Sequence, residues 1–178
     1  MRRSTLLAYL SCGLFTFAVA GSAVAHVTAN SNEAPANSYF RTALRVPHGC
    51  EGSATVAVRV KLPDGLVSVR PQMKPGWEIT ITMRKLDKPM DAGHGRMITE
   101  TVDEIVWRGG PLPDAHFDEF GLTMKLPAKA GETLYFPVVQ ECEQGVHRWI
   151  EIPGAGQEWG DLEEPAPFVT LKEGKGEH

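Results

Sequence analysis

Cysteine is scarce in this chain: three occur in 178 residues, Cys12, Cys50 and Cys142. They are far apart and no CxxC spacing is present, which argues against a thiolate metal site. Clusters of positive charge are missing too. Eighteen Lys and Arg stand against 22 Asp and Glu, for a formal charge of −4. No basic run offers a footprint for nucleic acid, and an anionic membrane surface is disfavoured. Beyond residue 25 no stretch repeats its apolar residues with the 3.6-residue period of a helix. A serine-centred nucleophile elbow, a phosphate-cradling glycine loop and an HExxH zinc signature are also absent from the sequence. Catalysis has little to stand on, and the chain is not expected to be an enzyme.

The one long uncharged run lies at the start. Arg2 and Arg3 precede a mostly apolar stretch from Ser4, which ends in the small-x-small pattern Ala23-Val24-Ala25. Residues 1–25 therefore read as a cleaved secretory signal. Ser4, Thr5, Ser11, Gly13, Thr16, Gly21 and Ser22 dilute the run, which weakens the rival reading of a membrane anchor. A lipoprotein signal through Cys12 is weaker still, because Tyr9-Leu10-Ser11 lacks the usual aliphatic residue. The mature protein is expected to be periplasmic or secreted, without a membrane anchor. Losing Arg2 and Arg3 takes its formal charge from −4 to −6. Losing Cys12 leaves Cys50 and Cys142 as the only cysteines, and in an oxidising compartment such a pair is expected to bond. A bridge closing so long a loop is worth about 4 kcal/mol on the chain-entropy account.

Cleavage after Ala25 makes His26 the first residue. An N-terminal histidine offers the free α-amine and the imidazole Nδ1, which together close a chelate ring on a metal. That pairing suits Cu(II), which favours nitrogen ligands in a tetragonal plane.

The remaining chain is a succession of short alternating segments. Phe40, Thr42, Leu44 and Val46 share a face, as do Val56, Val58, Val60 and Leu62, and as do Trp77, Ile79, Ile81 and Met83. Further runs cover residues 104–108, 120–126, 134–141 and 148–152, and Pro and Gly punctuate them. This patterning predicts an all-β fold, an antiparallel β-sandwich of immunoglobulin or fibronectin-III type, over residues 26–171. Residues 172–178 read as a polar tail. A first strand over 26–32 paired with a second over 39–46 returns the chain to its start, so that Pro47-His48-Gly49-Cys50-Glu51 lies beside His26. The disulfide then draws Cys142 and the turn 141–146 to the same end, with His147-Arg148-Trp149 following. Glu51 is the preferred carboxylate, Glu141 the next and Glu33 a third. His48 and His147 read as ligands or, more commonly, as partners that orient a ligand. His116 reads as a loop residue.

Several segments together resemble the YcnI-type domain of bacterial secreted proteins. These are Ala25-His26-Val27-Thr28, Val46-Pro47-His48-Gly49-Cys50, Lys74-Pro75-Gly76-Trp77, Glu104-Ile105-Val106-Trp107, Leu112-Pro113-Asp114 with Phe117-Asp118-Glu119-Phe120, and Tyr135 through Cys142 running into His147-Arg148-Trp149. The resemblance spans His26 to Leu171. It implies a β-sandwich that binds Cu(II) through its processed N-terminal histidine, a monohistidine brace completed by a carboxylate near a Trp, for which Trp149 is the candidate aromatic wall. It also implies a role in copper transport or as a copper chaperone for oxidase assembly, with a copper transporter or an oxidase-assembly chaperone as partner.

Three alternatives remain beside that reading. A copper monooxygenase also begins with a histidine, but takes a second one in the copper plane, a place His48 or His147 would have to fill. A purely structural envelope domain would bind no copper. Finally, Met90 and Met97 flank His94 in a Gly-rich stretch, a donor set suited to Cu(I), though no Met-rich repeat supports it.

Overall fold

The computed structural model describes residues 25–93 and 95–174; residues 1–24, which make up most of the predicted signal, His94 and the end of the predicted tail from 175 lie outside the described residues. Twelve strands run in the order β1 (Thr28–Ala29), β2 (Glu33–Pro35), β3 (Tyr39–Val46), β4 (Thr55–Lys61), β5 (Val67–Pro71), β6 (Trp77–Asp91), β7 (Met97–Leu112), β8 (Asp118–Lys125), β9 (Thr133–Tyr135), β10 (Val138–Cys142), β11 (Val146–Trp149) and β12 (Phe168–Lys172). Among the described residues there is no α-helix, only a 3₁₀ turn at Trp159–Asp161, and no helix long and apolar enough to cross a membrane.

The strands form a four-stranded sheet ordered β1-β3-β8-β5, a five-stranded sheet ordered β11-β10-β4-β7-β6, and a small third sheet ordered β2-β12-β9. The first two are antiparallel throughout. Their inward faces share one core: Leu44, Val46, Phe120, Leu122 and Met124 from one, Val58, Val60, Ile105, Trp107, Val138 and Trp149 from the other. The period-two pattern of the sequence is what sorts these residues inward, since alternate side chains of a strand leave opposite faces. The antiparallel sandwich is thus the observed architecture.

Details differ from the expectation. The predicted first strand is broken in two. Thr28 and Ala29 pair with Arg45 and Leu44 of β3, whereas Glu33–Pro35 leaves to run parallel to β12. The predicted run 134–141 also divides. Phe136 and Pro137 separate β9, which joins the third sheet through β12, from β10, which joins β4. A proline there costs the ladder a donor, and the chain changes sheets at that point. β12 occupies a stretch outside the expected strands, and it ends at Lys172, inside the predicted tail. The β6–β7 hairpin is far longer than expected. Trp77 and Ile79 pack on the core, but Ile81 and Met83 are exposed, and register shifts fall at Thr82/Met83 and Lys85/Met90.

Cys50 and Cys142 form a disulfide with Cα atoms 6.1 Å apart, both side chains buried. It fastens the segment after β3 to the end of β10, and so to the β10–β11 hairpin.

Candidate functional site

The register of β1 on β3 sets the geometry at the start of the domain. With Thr28 opposite Arg45 and Ala29 opposite Leu44, continuing the ladder brings His26 to Pro47. The next residue, His48, places its imidazole Nε2 3.2 Å from the carbonyl oxygen of Ala25. Gly49 follows because nothing larger fits: a Cβ there would run into the Ser53 carbonyl oxygen. Cys50 then pairs with Ser53 across a tight turn, with Glu51 and Gly52 at its tip at φ of +49° and +90°. Two successive positive φ values are those of a type I′ turn.

The β10–β11 hairpin supplies the other side. Val138 faces Trp149 and Gln140 faces His147, so all four side chains leave the same, inward face of the sheet. Trp149 is fully buried. Its ring lies 5.8 Å from that of His26, edge to face, and 5.0 Å from that of His147. His147 Nδ1 bonds Glu164 Oε1 at 2.7 Å, and the other oxygen of Glu164 accepts from the Arg148 N–H. Half-buried His26 is thus held near His48, Trp149 and, through Trp149, His147.

Two residues that sequence reasoning passed over complete the surroundings. Trp159 stands 5.2 Å from the His26 ring, also edge to face, on the 3₁₀ turn. Its indole N–H donates to the Ala166 carbonyl at 2.7 Å, and the Glu151–Ala166 bond ties that segment back to the end of β11. Gln140 is the second. It is fully buried, and its amide orientation is fixed by its partners: Trp149 Nε1 can only donate, to Oε1 at 3.0 Å, and the His48 carbonyl can only accept, from Nε2 at 2.7 Å. Nε2 also donates to Thr55 Oγ1 at 2.8 Å. Strand parity held the signal for Gln140, which shares its face with Val138 and Cys142. A polar side chain at an inward position needs partners there.

The predicted carboxylates are not brought together. Glu141 leaves β10 on the outward face, opposite to Gln140 and Trp149, where Arg108 holds it at 2.8 Å and Arg59 at 3.1 Å. The register therefore removes it from the side occupied by His26. Its hydrogen bond from Arg108, with that from Arg59, holds its carboxyl below the usual carboxylate range although partial burial pushes the other way. Arg59 is raised in turn, chiefly by Glu104 and then by Glu141. Glu33 pairs with Lys172 at 2.9 Å on the third sheet. Glu51 is exposed on the rim of a cleft of about 300 Å³ that Cys50, Gln144 and His147 also line. His116 is an exposed loop residue, as expected. The His94 part of the Met90–Met97 reading lies outside the described residues. Among the described residues no three His, Cys, Asp or Glu side chains form a group able to hold a metal ion. A brace needs no such group, since one of its donors is a main-chain nitrogen.

The sequence profile of a family described as a domain of unknown function, DUF1775, matches residues 26–171. The chain belongs to that family. The YcnI-type resemblance is thereby confirmed at the level of family membership. No curated protein matches the chain. Among solved structures, an uncharacterized protein from Nocardia farcinica with an immunoglobulin-like fold is similar to this DUF1775 chain at 28% identity. The match covers 83% of this chain and 98% of that one, with a TM-score of 0.62. The shared fold agrees with the sandwich described above.

Two substitutions test this arrangement. Gln140→Leu removes three hydrogen bonds and strands the buried Trp149 N–H and His48 carbonyl. Each unsatisfied group costs about 1–3 kcal/mol, so urea unfolding should show a loss of about 2 kcal/mol or more. A loss below about 0.5 kcal/mol, within the range of an ordinary surface change, would contradict the role given to the amide. Glu141→Gln acts differently. A carboxyl whose folded pKa is depressed adds stability above its unfolded value, about 4.3, and that stability is lost as pH falls through the folded value. The variant should therefore be less stable than the parent at pH 7, by about 1 kcal/mol or less for so exposed a pair. The difference should shrink progressively below about pH 4, and a gap independent of pH would contradict the ion pairing.

Proposed function

We propose that the protein binds Cu(II) at His26 once residues 1–25 are removed, and acts as a copper carrier in the periplasm or outside the cell. Copper is the cargo, and the receiving partner on this reading is a copper transporter or an oxidase-assembly chaperone. The observation that carries the proposal is the setting of His26: its ring is half-buried between Trp149 and Trp159, on the strand entrance where the new α-amine would arise. An amine and an imidazole on one residue chelate, and two indole edges limit water around them.

The donor chemistry supports Cu(II). Both domain cysteines are bonded to each other, so no thiolate competes and the available ligands are nitrogen and oxygen. Of the three carboxylates, Glu51 remains the candidate to close the site, since Glu141 and Glu33 are engaged with cations elsewhere. Trp149 serves as the aromatic wall, held in orientation by Gln140.

A second reading, copper-dependent oxygenation, is favoured by one observation, the nearness of the His48 imidazole to the Ala25 carbonyl that precedes His26. Peroxide formation with ascorbate and oxygen separates the two. A carrier shows no turnover beyond that of free copper, whereas an oxygenase shows a rate tied to the bound ion.

The α-amine is tested by comparing protein that begins at His26 with protein that retains Ala25. An amide in place of the amine cannot coordinate without losing a proton, so calorimetry should show Cu(II) affinity lower by at least a factor of ten, or about 1.4 kcal/mol. Both proteins should unfold at the same temperature. Equal affinity and equal Cu(II) spectra would remove the amine from the site.

A further inference from the structure

Two imidazoles, that of His48 beside the Ala25 carbonyl and that of His147 against Trp149, have no part in a brace built from one residue. In each, Nδ1 is committed. His48 Nδ1 lies 2.6 Å from the Gly49 carbonyl oxygen, and His147 Nδ1 lies 2.7 Å from the Glu164 carboxylate. Those oxygens can only accept, so His147 donates from Nδ1 and, when neutral, keeps a lone pair on Nε2, and His48 does the same whenever its proton goes to Gly49. Imidazoles that bind metals are commonly prepared in this way, with the distal N–H tied to a carbonyl or carboxylate. The two rings stand 6.1 Å apart at 82°.

His48 differs from His147 in what its Nε2 meets. It faces the Ala25 carbonyl oxygen at 3.2 Å. A neutral ring donating to Gly49 has no proton left for Ala25, and a ring donating to Ala25 gives up Gly49. With Ala25 in place, a neutral ring can satisfy only one of the two carbonyl oxygens. Peptide geometry puts the Ala25 oxygen about 2.3 Å from the His26 nitrogen, so His48 Nε2 is within about 5.5 Å of that nitrogen. Cutting the Ala25–His26 bond removes the competing carbonyl, leaves the Gly49 bond unopposed and turns the same nitrogen into an amine. The Nε2 lone pair is then free beside the new chelate.

We propose that His48 Nε2 is a further nitrogen ligand of the copper held by His26, masked by the Ala25 carbonyl until residues 1–25 are removed. The inference rests on the copper reading above and adds to it a ligand and a dependence on processing. The amine and two imidazoles would then offer the copper three nitrogens, with an oxygen completing the set. His147 stays tied to Glu164 and lies against Trp149.

Pulsed electron paramagnetic resonance on Cu(II)-loaded protein beginning at His26 counts the coordinated imidazoles. The parent and His147→Gln should show two, and His48→Gln one, with a Cu(II) Kd raised at least tenfold. One imidazole in a parent that still binds Cu(II) would overturn the role of His48 and leave the brace standing. A parent that binds no Cu(II) would overturn both. Should His48→Gln fail to fold, the counts in the parent and in His147→Gln together decide the question: two in the parent falling to one in His147→Gln would overturn the role of His48.

Discussion

The side-chain amide of Gln140 is the contact on which the surroundings of His26 depend. Three parts of the chain meet at that one buried group: the His48 carbonyl after β3, the Thr55 hydroxyl at the start of β4, and the Trp149 indole on β11. A buried amide is costly unless its donors and its acceptor are satisfied. Here two acceptors and one donor answer it, and the indole N–H leaves no freedom in which end points where. The disulfide beside it repeats the connection covalently, joining the same two segments through Cys50 and Cys142. Polar network and bridge together place an imidazole and a tryptophan on either side of the domain's first residue.

The two faces of β10 divide the labour. Inward, Val138 and Gln140 face Trp149 and His147 and build the wall around His26. Outward, Glu141 is locked between Arg59 and Arg108, with Glu104 extending the chain of charges. A one-residue change of register would exchange these roles, because side chains alternate with a period of two. The bulge at Glu141/Cys142 falls where the strand ends and the bridge begins, so the alternation is intact over the residues that matter. The ion pairs on the outer face also account for the acidic side chains nearby without assigning them to a metal.

Much of this was legible in the sequence, for identifiable reasons. Only two cysteines follow residue 25, so the bridge had one possible pairing within the domain. The alternation of Leu44 and Val46 with Arg45 set β3, and an antiparallel return necessarily brings His48 to His26. Trp149 followed from its place on the hairpin that the disulfide anchors. Glu141 misled because its neighbours in sequence suggest nearness to the site, whereas only the inward or outward sense of β10 decides it. Trp159 was hidden for a different reason. It sits in an irregular stretch with no period to read, held by Trp159-to-Ala166 and Glu151-to-Ala166 hydrogen bonds that no local pattern announces. Glu51 lies at the tip of the turn beside Cys50, and its exposed side chain lines the rim of the cleft with His147.

Copper carriage by this chain requires that His26 be the point at which the metal is held. Anomalous diffraction at the copper edge, from crystals of Cu(II)-loaded protein beginning at His26, tests this most directly. The expected result is a single strong peak within bonding distance of both the His26 α-amine and its imidazole, about 2.0 Å, with the edges of Trp149 and Trp159 alongside. A peak elsewhere on the molecule with none at His26, or no ordered copper in protein whose N-terminus is verified as His26, would contradict it.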